Sequence, residues 1–484
     1  MTLCNFAQSI IEQSYQYPDK LAVRDGIEDL TYQELSCRIQ QTAHGLRNQG
    51  LQTKDHVIIT MEDCVDWPVV FLACLHQGIV PLPLSTTIGT DLFWKIVEFV
   101  DCKLIIAGNQ RAQQLTGFLP ILTREQVREF YKTYSEPCSP IMVHTDSAGW
   151  LNVSSGSTGI PKVAVHRHQT LYEILNLSPA LSFSMTKDST ILSIAKMSWN
   201  FGLHNSVTYT LGLGATAIVI PEAPAMPTIF EYINRFCPTI IVTSPSIIRR
   251  LLLPTSKKYT LPDSIKHFHS SGEHLPQVMY DQFYQRFGLK INSCIGMMET
   301  CTNYAANPDW EHDPGTVGKP LPGVKVKLVD DEIYVSSPAN ACYYYKNYEK
   351  TRETFIGEWV RTGDRGYWNE HGNLVFAGRV DDVFKVNDLI VNPIEIEEEI
   401  IKDSTVDQIA ISGVINSQGI KEVHAFIIPG DNFDLQEFKS RLSQKLFPHQ
   451  IPKHIHIVSN FPETMTNKKD RKTMSKALNN ATIF

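Results

Sequence analysis

Among its ten cysteines, which run from Cys4 to Cys342, the 484-residue sequence has no Cys-x-x-Cys pair. That excludes the usual zinc and dithiol motifs and leaves free, mostly buried thiols of a reducing cytoplasm as the expectation. Basic excess is also missing: 51 acidic residues stand against 44 lysines and arginines, for a net charge of −7. A nucleic-acid binder working through a basic face is therefore not expected. The N-terminal stretch has no basic flank before an apolar core, so no secretory signal is read there. The most apolar run, VVFLACLHQGIVPLPL from Val69, is interrupted by His, Gln, Gly and two prolines and falls short of a membrane span. It reads as a buried helix leading to a turn, and no membrane partner is expected. Repeats and low-complexity segments are absent too, and charge names no partner.

What is present is 43% hydrophobic and 20% charged residues, the composition of a globular protein long enough for two or three domains. TYQELSCRIQQTAHGLRNQG pairs Thr31 with Glu34 in capping-box spacing, repeats Leu35, Ile39, Ala43 and Leu46 at helical intervals and stops at Gly50, which predicts an amphipathic helix. Short β-rich runs follow: HVIIT near Ile58, KLIIA near Ile105, TAIVIP near Ile218 and TIIVTSP near Ile241, with helical segments between them. This alternation predicts α/β architecture with buried, mostly parallel sheets. After Gly315 the texture becomes Gly-, Pro- and Val-rich, predicting a small β subdomain over about residues 315–379. VNPIEIEEEI then places Pro393 at a helix start with glutamates in its first turns, and a charged helix is expected near Leu435. The expected division is a large domain over 1–379, a hinge at 380–382 and a small α+β domain over 383–484.

One segment points to chemistry. VSSGSTGIPKVAVHRH, from Val153, sets Gly156 and Gly159 among Ser154, Ser155, Ser157 and Thr158 and closes on Lys162. Glycines let backbone N–H groups turn toward an anion, and short hydroxyls add donors without bulk, so the composition suits phosphate. The spacing fails both the Walker pattern and the kinase glycine loop. Alone, it reads equally well as a Ser/Gly-rich surface loop.

Further segments follow in order: FHSSGEHLP at Phe268, IGMMET at Ile295, WVRTGDRGYW at Trp359, GRVDDVFKVNDLIVNPIEIEEEI at Gly378 and FPETMTNKKDR at Phe461. Together with the loop they resemble the adenylate-forming superfamily of acyl- and aryl-CoA ligases, nonribosomal adenylation domains and luciferase. The resemblance runs from TYQEL to Arg471, and the loop with SSGEHLP is most similar to the benzoate-CoA ligase-like branch. It implies a large α/β domain of mostly parallel sheets with a small β-barrel subdomain, followed by a small mobile α+β lid. It also implies an enzyme that activates a carboxylic acid with ATP, releases pyrophosphate and passes the acyl group from AMP to the thiol of CoA. The alternatives left open are loading of a separate phosphopantetheinyl carrier protein and a nucleotide-binding protein without turnover.

The resemblance also implies roles residue by residue. Ser154, Ser155, Gly156, Ser157, Thr158, Gly159 and Lys162 would hold the β- and γ-phosphates, and Glu299 would be the acidic ligand of Mg²⁺. Gly272 and Glu273 would lie against adenine, and Met298 and Lys385 would stand with the nucleotide-binding groups. Asp364 would accept hydrogen bonds from both ribose hydroxyls, with Arg379 nearby. Lys468 would be the mobile catalytic lysine, with adjacent Lys469 as its competitor, and Asp381 would mark the hinge. Trp199, Asn200, Phe201, His204, Ser271, Cys294 and Gly296 would line an acid pocket suited to an aryl or short acyl group; core packing explains Phe201 and Cys294 equally well. Asn200 stands where amino-acid-activating relatives have an aspartate, which disfavours an α-amino acid.

Four positions depart from the pattern. Val163 replaces a glycine and reads as a strand start. Met298 replaces a threonine that donates to phosphate, a loss of about 1.5 to 3 kcal/mol if nothing compensates. Asn467 replaces the glycine before the lysine, and Asp388 replaces one lining the pantetheine channel, so adenylation is better supported than transfer to CoA. The acid's identity and the oligomeric state stay open.

Overall fold

Helix Tyr32–Asn48 forms where the sequence places it, with both halves of the capping box made: Glu34 N–H donates to Thr31 Oγ1 at 3.2 Å and Thr31 N–H to Glu34 Oε2 at 2.7 Å. The chain was described from a computed structural model. Its described residues are all but 1, 118, 155–160, 178–182, 222–223, 257, 309–310, 417, 419, 463–468 and 480–484; the side chains of 254, 472 and 477–479 are likewise left aside.

The β-rich runs become His56–Thr60, Cys102–Ala107, Thr216–Val219 and Ile240–Thr243, every one inside a sheet. The first two belong to a four-stranded parallel sheet ordered 80–83, 56–60, 102–107, 121–123. The last two belong to a nine-stranded sheet ordered 319–320, 303–306, 291–296, 267–270, 240–243, 190–193, 216–219, 21–24, 29–31. Its six inner strands, from 291–296 to 21–24, run parallel; the three outer strands pair antiparallel. Parallel strands covered on both faces read as continuous apolar runs, which is why these segments show little alternation. Leu192, Ile218, Ile241 and Phe268 meet Phe230, Ile248 and Phe283 in a buried core against one face. The apolar run from Val69 begins in helix Asp66–His76, buried on every side, turns at residues 77–78 and ends in strand Val80–Pro83.

By contact density the chain divides into two units, residues 1–275, 279–326 and 335–361 in one and 276–278, 327–334 and 362–484 in the other. The β-rich stretch contributes strands Lys325–Val329, Glu332–Ser336, Trp359–Trp368 and Leu374–Arg379 to a five-stranded sheet. Toward the C-terminus, strands Val406–Ile415, Lys421–Pro429 and His454–Ile457 form a three-stranded sheet. Alternation assigns its faces: Ile409, Ile411, Val423, Ala425 and Ile427 pack with Ile396, Phe438 and Leu442, whereas Ala410 and Phe426 face Met474. Helices Pro393–Ile400, capped by the Asn392 side chain, and Leu435–Lys445, capped by Asp434, form where the sequence signals them. Asp434 accepts from two successive N–H groups, so an acid also sits at the positive end of the helix dipole.

All ten thiols are unpaired, and six are buried. Among the described residues no helix is long and apolar enough to cross a membrane.

Candidate functional site

The glycine and hydroxyl loop joins two antiparallel strands, Ala148–Val153 and Val163–Arg167. Its closing pair is described: Ser154 N–H donates to the Lys162 carbonyl at 2.8 Å, and Lys162 N–H donates to Ser154 Oγ at 3.2 Å. Ser155, Gly156, Ser157, Thr158 and Gly159 lie outside the described residues. Val163 opens the second strand and is buried, as expected of a strand start.

A short strand, Tyr343–Tyr344, pairs with the far edge of Val163–Arg167 and sets Tyr344 opposite Ala164. The Tyr344 hydroxyl consequently stands between two predicted site residues. It donates to Glu299 Oε1 and accepts from Lys162 Nζ at 3.2 Å, and the ammonium lies 4.9 Å from its ring centroid. Lys162 and Glu299 are themselves an ion pair at 3.6 Å. Glu299 is buried on the turn between strands Ile291–Gly296 and Asn303–Ala306, its carbonyl accepting from Ala341 N–H at 2.8 Å. A buried carboxylate is costly without polar partners, and this arrangement supplies a cation and a hydrogen bond. Met298, beside it, packs with Ala164, Ala341, Tyr344 and Phe355, so the side chain that replaces threonine fills an apolar gap.

Tyr344 is the residue that sequence reasoning missed. The run CYYYKN gives no sign of which tyrosine turns inward; strand register decides it, and Thr351 Oγ1, which accepts from Tyr344 N–H at 3.0 Å, fixes the backbone there.

The predicted acid-pocket residues make separate polar contacts. Asn152 Nδ2 donates to Asn200 Oδ1, and Asn200 Nδ2 is buried without a partner among the described residues. Trp199, Asn200 and Phe201 are half-buried where helix Asn200–Leu203 begins. A Cβ on Gly202 would come within 2.0 Å of the Lys196 carbonyl, so only glycine lets this helix approach so closely. His204 starts a π-helical turn, His204–Thr208, and is packed on every side: its ring nitrogens face Thr208 Oγ1 at 3.1 Å and Cys301 Sγ at 3.4 Å. Burial pushes its pKa down to about 3. His166, stacked on Trp150 at 4.6 Å, is pushed down to about 3 for the same reason. Ser271 Oγ donates to the Cys294 carbonyl at 3.1 Å and lies 3.2 Å from Asn303 Oδ1. Burial raises the Cys294 thiol far above its usual range, leaving it an inert packing group. Gly296 abuts the opposing strand, where a Cβ would meet the Thr302 carbonyl at 2.6 Å. Gly272 is exposed with φ +91°, and the charge of half-buried Glu273 acts on Arg249.

In the second unit Asp364 and Arg379 are register partners on strands Trp359–Trp368 and Leu374–Arg379. Arg379 Nη1 donates to Asp364 Oδ1 at 2.6 Å; the acid is buried and the arginine exposed. Thr362 Oγ1 accepts from Asp364 N–H at 3.0 Å and donates to the Ile333 carbonyl at 2.7 Å, which fixes the backbone carrying the carboxylate. Asp381 is exposed on the short turn Val380–Asp382, and Lys385 is exposed on strand Phe384–Val386. Asn387 and Asp388 join that strand to Leu389–Val391 as a two-residue hairpin loop, both at positive φ (+49° and +63°) and exposed. Positive φ favours glycine, and Asn and Asp tolerate it best among the other residues.

Lys468 and Asn467 lie outside the described residues. Lys469 Nζ donates to the Ile409 carbonyl at 2.6 Å and sits 5.3 Å from the Phe461 ring centroid. Arg471 grips both oxygens of Glu397 at 2.7 and 3.0 Å and reaches Asp382 at 3.5 Å, tying the tail to the turn that contains Asp381.

The model of the AMP-binding enzyme family matches residues 10–345, and that of the AMP-binding enzyme C-terminal domain matches residues 395–468. The chain is 27% identical to a 4-hydroxybenzoate–CoA/benzoate–CoA ligase of Rhodopseudomonas palustris, covering 93% of this chain and 90% of that protein. It is 28% identical to a benzoate–CoA ligase of Thauera aromatica, covering 92% and 90%. A benzoate CoA ligase structure from Burkholderia xenovorans superposes with a TM-score of 0.91 at 27% identity, over 98% of this chain and all of that one. An anthranilate CoA ligase solved with anthranoyl-AMP shares the fold, with a TM-score of 0.94 at 24% identity over 99% and 98% of the two chains.

Proposed function

The chain belongs to the AMP-binding enzyme family, and on that premise we propose that it is an ATP-dependent ligase joining an aryl carboxylic acid to CoA through an acyl-adenylate. The observation that carries this reading is the Lys162–Tyr344–Glu299 constellation at the base of the glycine and hydroxyl loop. In the first half-reaction a carboxylate oxygen attacks the α-phosphorus of ATP, the bond to the bridging oxygen breaks and pyrophosphate leaves. The loop and Lys162 stabilise charge as it moves onto pyrophosphate, with no phosphoryl group passed to the acid. In the second, the CoA sulfur attacks the acyl carbon, the bond to AMP oxygen breaks and the thiol proton passes to solvent.

Glu299 fits an Mg²⁺ ligand, because its oxygens are hard donors and a lysine and a tyrosine already orient the carboxylate. Mg²⁺, when bound there, would neutralise phosphate charge. Asp364, with its backbone fixed by Thr362 and one oxygen oriented by Arg379, would accept the ribose hydroxyls. Lys468 would bridge the acid carboxylate and the α-phosphate, offsetting two like charges in the transition state. Backbone rotation at residues 380–382, between a large domain (1–379) and a small one (383–484), would serve the two half-reactions in turn.

The acid class follows from the named substrates of the relatives, benzoate and hydroxybenzoates. The test is pyrophosphate release with Mg²⁺-ATP over benzoate, 3- and 4-hydroxybenzoate, anthranilate, short- and long-chain fatty acids and α-amino acids, each with and without CoA. Release by one or more aryl acids, multiplied by CoA and yielding an aryl-CoA, is the expected result. Release indifferent to CoA would assign the acyl group to a carrier protein, and release only with aliphatic acids would overturn the substrate class.

A further inference from the structure

Strands Lys421–Pro429 and His454–Ile457 pair in parallel, with His424 opposite His454 and Phe426 opposite His456. Because side chains alternate, Val423, Ala425, Ile427 and Ile455 go to the core, and Glu422, His424, His454 and His456 gather on the other face. Glu422, His424 and His454 bring one ligand atom each to within 4.8 Å of one another. None of the four side chains belongs to the ATP chemistry described above.

We propose that Glu422, His424 and His454 form a binding site for one borderline divalent transition-metal ion, of the Zn²⁺ class, with His456 buttressing His424. The spacing fits. Ligands about 2.0 to 2.1 Å from a tetrahedral ion stand about 3.3 Å apart, and Glu422 Oε2 lies 3.4 Å from His454 Nε2. The other carboxylate oxygen, Oε1, is already oriented by Lys453 Nζ at 2.7 Å and Asn416 Nδ2 at 2.9 Å, leaving Oε2 as the donor. Such outer contacts are what fix a metal-binding carboxylate. His424 Nδ1 lies 3.0 Å from His456 Nε2, and His456 stacks on Phe426, so the inner imidazole is held from behind. Glu422 and His424 are buried while the His454 side chain is about half exposed, which leaves an entry path and an open position for water.

Two imidazoles and one carboxylate suit Zn²⁺, Ni²⁺ or Cu²⁺ and disfavour Mg²⁺ and Ca²⁺, which take six or more oxygens. A bound ion would cross-link the inner strand to His454–Ile457, the strand from which the chain runs on toward Lys468.

The experiment is Zn²⁺ titration of the tag-free, nucleotide-free full chain by calorimetry and thermal unfolding, beside His454→Ala and the near-isosteric Glu422→Gln. Wild type is expected to bind about one equivalent more than either variant and to gain several degrees in unfolding midpoint, reversed by a chelator and not reproduced by Mg²⁺. The variants are expected to keep wild-type Mg²⁺-ATP-dependent pyrophosphate release, which shows that they are folded. Equal Zn²⁺ binding by wild type and both variants, or none by wild type, would overturn the site.

Discussion

Replacing Tyr344 with phenylalanine removes one oxygen and leaves the ring. The ring's neighbours Ala164, Ala341 and Phe355 keep their contacts, and the Lys162 ammonium keeps its place over the ring face. What disappears is the hydroxyl that donates to buried Glu299 and accepts from Lys162. Hydrogen bonds to charged groups contribute about 1.5 to 3 kcal/mol, which corresponds to roughly 10- to 150-fold in rate if the contact positions both groups in the transition state. The assay is pyrophosphate release at varied ATP and saturating acid. Y344F should lose kcat/KM for ATP within that range while its far-UV spectrum and unfolding midpoint stay close to wild type. A fall in kcat with little change in KM would place the contact in the transition state; a rise in KM alone would make it a binding contact. A kcat/KM within about twofold of wild type in the folded variant would refute the positioning argument.

Other consequences are open to test. Lys468→Ala should cut adenylate formation by orders of magnitude, whereas Lys469→Ala, whose ammonium serves the Ile409 carbonyl, should cost stability more than rate; the reverse pattern would exchange their roles. Asp364→Asn should raise KM for ATP about tenfold or more with a smaller change in kcat, since a carboxylate that accepts two hydroxyl hydrogen bonds becomes a one-sided amide. Arg471→Ala should cost about 3 to 5 kcal/mol of stability by leaving the Glu397 carboxylate without its cation, read by denaturant unfolding. Acid should destabilise the fold through His166 and His204: both are held neutral by burial, with pKa about 3, while in the unfolded chain each takes up a proton near pH 6.5. Each therefore removes about 1.4 kcal/mol per pH unit below that value until the folded pKa is reached. His166→Phe should flatten the stability profile between pH 6 and pH 4, and an unchanged slope would contradict the assignment.

How much could be read from the chain alone depended on whether the signal was local. Helix Tyr32–Asn48 carries its own period, cap and stop, and the C-terminal helices their own cap residues, so all were legible. Strand order was not: Leu21–Arg24 pairs with Thr216–Val219 across nearly two hundred residues, and neither is long enough to show a period. Lys162 and Glu299 were found through motifs and do meet, yet the group that joins them, Tyr344, became visible only through the pairing of Val163–Arg167 with Tyr343–Tyr344. Among the pocket residues, His204 has both ring nitrogens satisfied inside the core, which no sequence pattern signals. Met298 was read as a lost hydrogen bond; its packing beside Tyr344 shows what the methionine supplies instead. The Glu422–His424–His454 cluster leaves no sequence signal because His454 lies thirty residues beyond His424 and only parallel pairing unites them.

The central claim is that the acid is activated through AMP, and the most direct measurement follows the acid's oxygens. With benzoate or a hydroxybenzoate labelled with ¹⁸O in both carboxylate positions, turnover with Mg²⁺-ATP and CoA should release AMP carrying one labelled oxygen and an aryl-CoA retaining the other. Label in inorganic phosphate or pyrophosphate, with none in AMP, would mean that the acid was phosphorylated and the adenylate account is wrong.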